Sequence, residues 1–303
     1  MKRSRTYKEL KKYLIRRLAK DRVVAALSAV SSLPIFVLLL IIIFITWHGL
    51  TAFRMLGLEM FGFRWDAEYG YFGATPLIFG SITVVAGALL IAIPIGVLSA
   101  IFLAEYAPHW LRDVVKPMVE LLAAIPSIIY GVFALVFVAP IIKEVFSLPS
   151  GLVALTSSMI LSIMTLPTIV SISSETISAV PKEYRRASIA LGATHWQTVK
   201  GVVIPTAAPG IVASIILGFG RAIGETVAVA LAIGARAKVS WSLLEPMHAL
   251  TAAIIYVFPE AAYGEMSWYV CFGLGVILFA ITFAVNTVAG FILRKVPKGV
   301  VQL

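Results

Sequence analysis

Charge is scarce in this sequence: 13% of its 303 residues are Asp, Glu, Lys or Arg, where soluble domains carry about 25%. Cysteine is scarcer still. The single Cys271 lies in an apolar run, which excludes a disulfide framework and a thiolate metal site. No G-x-x-x-x-G-K-[ST] occurs, so the chain has no P-loop of its own, and a nucleotide-driven process would take its nucleotide on another subunit. The first apolar run, roughly Val23 to Trp47, is too long for a signal-peptide core and is followed by no A-x-A cleavage site. It reads as a retained anchor.

What is abundant is apolar surface. Hydrophobic residues make up 60% of the chain, more than the core of one or two soluble domains requires, and that points to lipid as the solvent. Stretches at roughly 26–48, 77–104, 117–142, 152–173, 208–234 and 269–293 each reach the ~20 apolar residues that a membrane-spanning helix needs. The third carries Glu120 and the fifth carries Arg221 and Glu225. The expected fold is an all-α integral membrane protein with six transmembrane helices. It divides into a basic segment at 1–25, a first transmembrane helix at 26–48, and a transmembrane domain at 77–294 with a cytoplasmic loop at 174–205.

The net charge of +10 is concentrated at one end, with ten Lys and Arg within the first 22 positions. A basic flank before an apolar span is a topology signal, and nothing further supports nucleic-acid binding. With the N-terminus inside, nineteen Lys and Arg fall on the cytoplasmic side and five (Arg54, Arg64, Lys143, Arg236 and Lys238) fall outside. Both termini are therefore expected in the cytoplasm. Of the outer loops, 49–76 is rich in aromatics and reads as an interfacial belt or a docking surface for an external protein. The segment LTAAIIYVFPEA, in the loop 235–268, is too short to span and reads as re-entrant or interfacial. Pro94, Pro126 and Pro167 fall inside the second, third and fourth apolar stretches, where each removes a helix hydrogen bond and kinks the span.

The longest cytoplasmic loop has the signals of two short helices. Pro181 suits a first turn with Glu183 close behind it, and Gly192 suits a left-handed cap. Thr194 and Gln197 fit a capping box that opens the second helix, after which comes Pro205. The apolar residues Ala187, Ala190, Leu191 and Trp196 need a partner. This loop resembles the EAA loop of ABC importer permeases, a pattern of Glu-Ala-Ala, three residues, Gly, nine residues, Ile, any residue, Leu-Pro. Here the positions read Arg186-Ala187-Ser188, Gly192, Val202 and Ile204-Pro205. The resemblance implies the type I ABC importer permease fold and a coupling helix that docks on an ATPase subunit through Glu183, Arg186, Ala187, Gly192 and Ala193. Arg186 stands where the family has glutamate, and Glu183, one turn earlier, offers a carboxylate instead.

The fifth stretch narrows the resemblance. A charge in mid-span costs about 2.5–3.5 kcal/mol on insertion scales, so Arg221 is expected to face the bundle interior or a wet cavity. Glu225, four residues on, would share its helix face and pair with it. Gly218, Gly220 and Gly224 would let helices approach around the pair. The runs GRAIGETVAVALAIG, FGATPLIFGSI and KPMVELLAAIPSIIYGVFAL are similar to those of phosphate importer permeases, the C-type subunit in particular. By that resemblance Arg221 and Glu225 line the translocation pathway, and Glu120 is a candidate gate. The partners would be an A-type permease subunit in a heterodimer, a dimer of ATP-binding subunits and an extracytoplasmic phosphate-binding protein. The chain itself would be no enzyme and need no cofactor, because ATP is bound by the partner, and it would sit in the cytoplasmic (inner) membrane of a prokaryote. A permease for molybdate, tungstate or sulfate is the alternative, and a gradient-driven secondary transporter a more distant one.

The topology is directly testable. Cysteines replacing Tyr69 and Glu245 should react with a membrane-impermeant reagent applied from outside, and one replacing Lys200 should not; outside labelling at Lys200 overturns the arrangement.

Overall fold

In lipid a helix satisfies its own amides and carbonyls, so long apolar runs fold locally into helices before anything else. The computed structural model describes residues 22–295, and nearly all of the basic segment 1–25 lies outside the described residues. The helices are α1 (Arg22–Leu56), α2 (Thr75–Ile101), α3 (His109–Ala124), α4 (Ser127–Phe133), α5 (Ala139–Val145) and α6 (Ala154–Ser178). They continue as α7 (Lys182–Ala190), α8 (His195–Thr198), α9 (Ile204–Ile223), α10 (Val227–Ala232), α11 (Leu250–Val257) and α12 (Met266–Lys295). Wider π-helical turns at Phe102–Tyr106, Ala134–Val138 and Val199–Val203 extend α2, join α4 to α5 and join α8 to α9. A two-residue antiparallel ribbon, β1 (Trp65–Asp66) with β2 (Tyr71–Phe72), is the sole sheet among the described residues.

Six rods are long and apolar enough to cross a membrane: Ala26–Phe61, Thr75–Tyr106, Ser127–Val145, Ala154–Ser178, His195–Ile223 and Met266–Phe291. The all-α, six-span expectation holds, and three details of it are corrected. The third span begins at Ser127, because the chain is extended at both Ile125 (ψ 129°) and Pro126 (ψ 138°). A residue before proline is pushed out of the helical region, so Pro126 separates two helices instead of kinking one. Glu120 therefore lies outside the span, exposed on α3. The fifth span ends at Ile223, which puts Arg221 in its last turn and not at its middle. Finally, the second helix expected in the loop 174–205 is no separate unit. It runs on through Pro205 into the fifth span, with a π-helical turn just before the proline.

The bundle is held by small residues at close crossings. The centre is α6, which packs on α2 and α9; α1 packs on α12 at the periphery. Ser158 donates to the Val84 carbonyl across the α6–α2 crossing at 3.0 Å, and Ser173 and Ser214 share a 2.7 Å hydrogen bond between α6 and α9. Gly96 and Gly218 both face Ile169: a Cβ at Gly96 would lie 2.8 Å from its Cγ2, and one at Gly218 3.1 Å from its Cγ1. Gly220 and Gly224 make no such interhelical approach; a Cβ at Gly220 would meet open space. α11 is too short to span. Its first residues, Leu250–Ala253, are buried against α2, α10 and α12.

At Gly80 on α2 an added methyl would run into the backbone carbonyl of His248, which cannot rotate away as a side chain could. Gly80→Ala should cost about 1–3 kcal/mol and lower the thermal midpoint of the purified protein by about 3–10 °C. An unchanged midpoint contradicts the crossing.

Candidate functional site

The site is an interruption. α9 stops at Ile223, and α10 starts four residues later. The local cause is side-chain competition for the backbone. The Glu225 carboxylate accepts from its neighbour's amide, Thr226 N, at 3.1 Å and from Ala228 N at 3.4 Å, while Thr226 Oγ1 donates to the Gly224 carbonyl at 3.2 Å. The backbone closes a tighter bond, Glu225 N to Ala222 O, at 3.3 Å, and α10 begins a fresh ladder. Glu225 thus caps α10 with its negative charge at the positive end of the helix.

The expected Arg221–Glu225 ion pair is not made, because the break at Gly224 takes the two residues off a common helix face. The Arg221 guanidinium turns to the end of α3, where Nη2 lies 3.5 Å from the Ala123 carbonyl, at the outer limit of a hydrogen bond. Among the described residues no carboxylate lies within ion-pair distance of it. Arg221 is half-buried at the carbonyl-rich ends of two helices, and Ala123 is its one hydrogen-bond partner among the described residues. Behind the break, Thr251 Oγ1 donates to the Glu225 carbonyl and Tyr256 Oη to the Ala230 carbonyl, both at 2.8 Å, so α11 is tied to both ends of α10. Glu120 accepts from Ser171 at 3.4 Å, and Lys116 pairs with Glu175 at 2.9 Å, which lays α3 along α6.

The second candidate element is the corner at the opposite end of the bundle from the ribbon. Pro181 stands at the N-cap of α7, one place earlier than a first-turn position, and Glu183 follows in the first turn. Gly192 has φ +89°, the left-handed conformation that glycine adopts without strain. Ala193 N reaches back to the Ser188 carbonyl at 3.3 Å. Thr194 and Gln197 form the expected capping box, with bonds of 2.8 and 3.3 Å. Glu183, Arg186, Ala187 and Gly192 are exposed, beside an uncovered apolar rim of Ile189, Leu191 and Trp196; Leu191 is 89% exposed.

The residue that anchors this corner is Arg185, which the sequence reading passed over. Its Nε and Nη2 grip Glu105 at 3.1 and 2.5 Å, and the Glu105 side chain is only 5% exposed. The same guanidinium donates to the carbonyls of Val180 and, at 2.8 Å, Ile177. One side chain of α7 therefore fastens the π-helical end of the second span and the end of the fourth. Arg112 caps the same turn, donating to the Leu103 and Ala104 carbonyls at 2.7 Å each. Little in the sequence signals the pair beyond Glu105 standing at the end of an apolar span.

Comparison with known proteins follows this geometry. Residues 92–301 match the family described as binding-protein-dependent transport system inner membrane component. The chain is 36% identical over 270 residues to the phosphate transport system permease protein PstC of Mesorhizobium japonicum, covering 83% of this chain and 82% of that one. It is 33% identical over 294 residues to the PstC of Haemophilus influenzae (89% and 92% covered). A probable ABC transporter permease, YqgH of Bacillus subtilis, is 36% identical over 250 residues (80% and 81%). Among solved structures, a chain of a bacterial alginate ABC transporter, crystallised with its alginate-bound periplasmic protein, superposes with a TM-score of 0.65 at 17% identity. It covers 93% of this chain and 98% of its own. The MetNI methionine ABC transporter gives 0.55 at 21% identity, covering 74% and 94%; both likenesses establish the fold.

The anchor gives a stability test. Glu105→Gln or Arg185→Gln should each destabilise the protein by about 3 kcal/mol, since each strands a buried charge. The double variant should lose about as much as either single one, as expected for partners in one interaction. Losses that simply add in a denaturation series argue against the clamp.

Proposed function

The chain belongs to the binding-protein-dependent transport system inner membrane components, and on that premise we propose that it is a permease subunit of an ATP-driven phosphate importer, forming half of the translocation pathway. One observation carries the substrate: Arg221 lies half-buried at a helix interruption, and among the described residues it has a single long contact to a carbonyl and no carboxylate partner. A planar guanidinium offers paired hydrogen bonds that match a tetrahedral oxyanion. The permeases that share about a third of its sequence, by name phosphate permeases, support phosphate over molybdate, tungstate or sulfate. Glu225 belongs to the pathway wall as the cap that holds the break open, not as a counter-ion.

The coupling role falls to the Gly192 corner. Its uncovered rim of Ile189, Leu191 and Trp196 is apolar surface that an ATP-binding subunit would cover, with Glu183, Arg186, Ala187, Gly192 and Ala193 around it. In this reading the corner faces the cytoplasm, and the ribbon end faces an extracytoplasmic phosphate-binding protein. A second permease subunit of the A type completes the pathway as a heterodimer. ATP is bound by the partner, and this chain carries no catalysis. Movement imposed on α7 passes through Arg185 to the ends of the second and fourth spans together.

Replacing Arg221 by Gln keeps size and polarity and removes the cation. Phosphate uptake into proteoliposomes holding the assembled transporter should fall roughly ten- to a hundredfold, on the scale of a lost charged hydrogen bond. Assembly and thermal midpoint should stay near native, since the bundle makes no ion pair with Arg221. Arg221→Lys should recover uptake only in part. Native uptake by Arg221→Gln sinks the assignment.

A further inference from the structure

The ribbon end of the bundle holds a cleft of about 600 Å³ that the pathway does not use. Three carboxylates line it, Asp66 and Glu68 from the ribbon and Glu260 from the segment after α11, and no Lys or Arg lines it. None of the three is in an ion pair among the described residues. Of the cations in the neighbouring loops, Arg64 lies over the Tyr71 ring at 3.7 Å, Lys238 holds Glu245 at 3.0 Å, and Arg236, between the lining residues Ala235 and Ala237, is exposed and does not itself line the cleft. In a chain of net charge +10 the lining is a local concentration of negative charge.

Two further features define what it takes. Trp65 and Tyr256 form aromatic walls, the first packed edge-on to Phe72, the second fixed by its hydroxyl on the Ala230 carbonyl. The other is His248, 6% exposed, whose Nδ1 has no hydrogen-bond partner among the described residues. Burial pushes its pKa down to about 4, so at neutral pH it adds no positive charge to the cleft. Carboxylates with aromatic faces and an uncharged imidazole are the chemistry of cation recognition, through ion pairing and cation–π attraction together.

We propose that this cleft is a docking site for an arginine or lysine side chain carried on a loop of the extracytoplasmic binding protein. The volume exceeds that of one side chain and admits the loop residues on either side of it. A guanidinium suits it best, because it stacks on a ring while its edge meets a carboxylate. The inference rests on the reading of the chain as an importer subunit served by such a protein.

The test is direct binding of the purified, phosphate-loaded binding protein to the assembled transporter in nanodiscs, at low and high salt, with no transport required. In the triple variant Asp66→Asn, Glu68→Gln, Glu260→Gln, the dissociation constant at low salt should rise about tenfold and its salt dependence should flatten. An unchanged thermal midpoint and normal co-purification with the ATP-binding subunit exclude misfolding. Equal affinity and equal salt dependence in native and variant complexes overturn the proposal, as does a native complex with no affinity for the binding protein. Arginine amide alone raising the midpoint of the native complex but not of the variant would assign the cleft to a free cation and overturn the protein-borne source. A native complex that binds the loaded protein yet moves no phosphate overturns the phosphate reading and leaves the binding comparison standing.

Discussion

Inside a bilayer no water waits to accept a freed amide or carbonyl, and the arrangement of this protein turns on that constraint. Three places where a helix ends, is interrupted or is widened are matched by a side chain that takes up the loose backbone. Arg112 serves the widened end of the second span, Arg185 the end of the fourth, and Glu225 the start of α10. These three charges serve the protein's own backbone. Arg221 differs: it touches one carbonyl at 3.5 Å and has no other partner among the described residues.

The same bookkeeping ties the two ends of the molecule to its middle. At the Gly192 corner, α7 is fastened through Arg185 to two spans and through the Ser188–Thr198 hydrogen bond, at 2.9 Å, to the rod that becomes the fifth. At the ribbon end, α11 is hydrogen-bonded to both ends of α10. Between them lies the interruption at Gly224, where the two sets of connections meet. An importer fed from one side and driven from the other requires such a meeting point.

Periodicity and length made the spans legible in the sequence, because lipid tolerates few solutions and apolar length selects among them. The Gly192 corner and the Thr194–Gln197 capping box were legible too, since both depend on residues within one or two turns of each other. What escaped was competition between equally local alternatives. From composition, 208–234 is one helix; only the carboxylate of Glu225, by bonding its own neighbours' amides, ends it at Ile223. Ile125-Pro126 reads as a kink until the extended backbone of both residues is seen. Arg185 and Glu105 are eighty positions apart, and no local pattern announces that they meet. The phosphate reading came from sequence resemblance, and the geometry changed the role of Glu225 from counter-ion to cap.

The interruption at Gly224 also bears on movement. If 208–234 were one unbroken helix, turning its last two turns against the rest would mean tearing several ladder bonds in a medium with nothing to replace them. With α9 closed at Ile223 and α10 independently capped, the same rotation changes a few torsions between Gly224 and Thr226 and leaves both ladders whole. Hinges of this kind absorb large displacements in a few residues at element ends. A rotation at this point would meet side-chain repacking around α10 instead of helix unwinding.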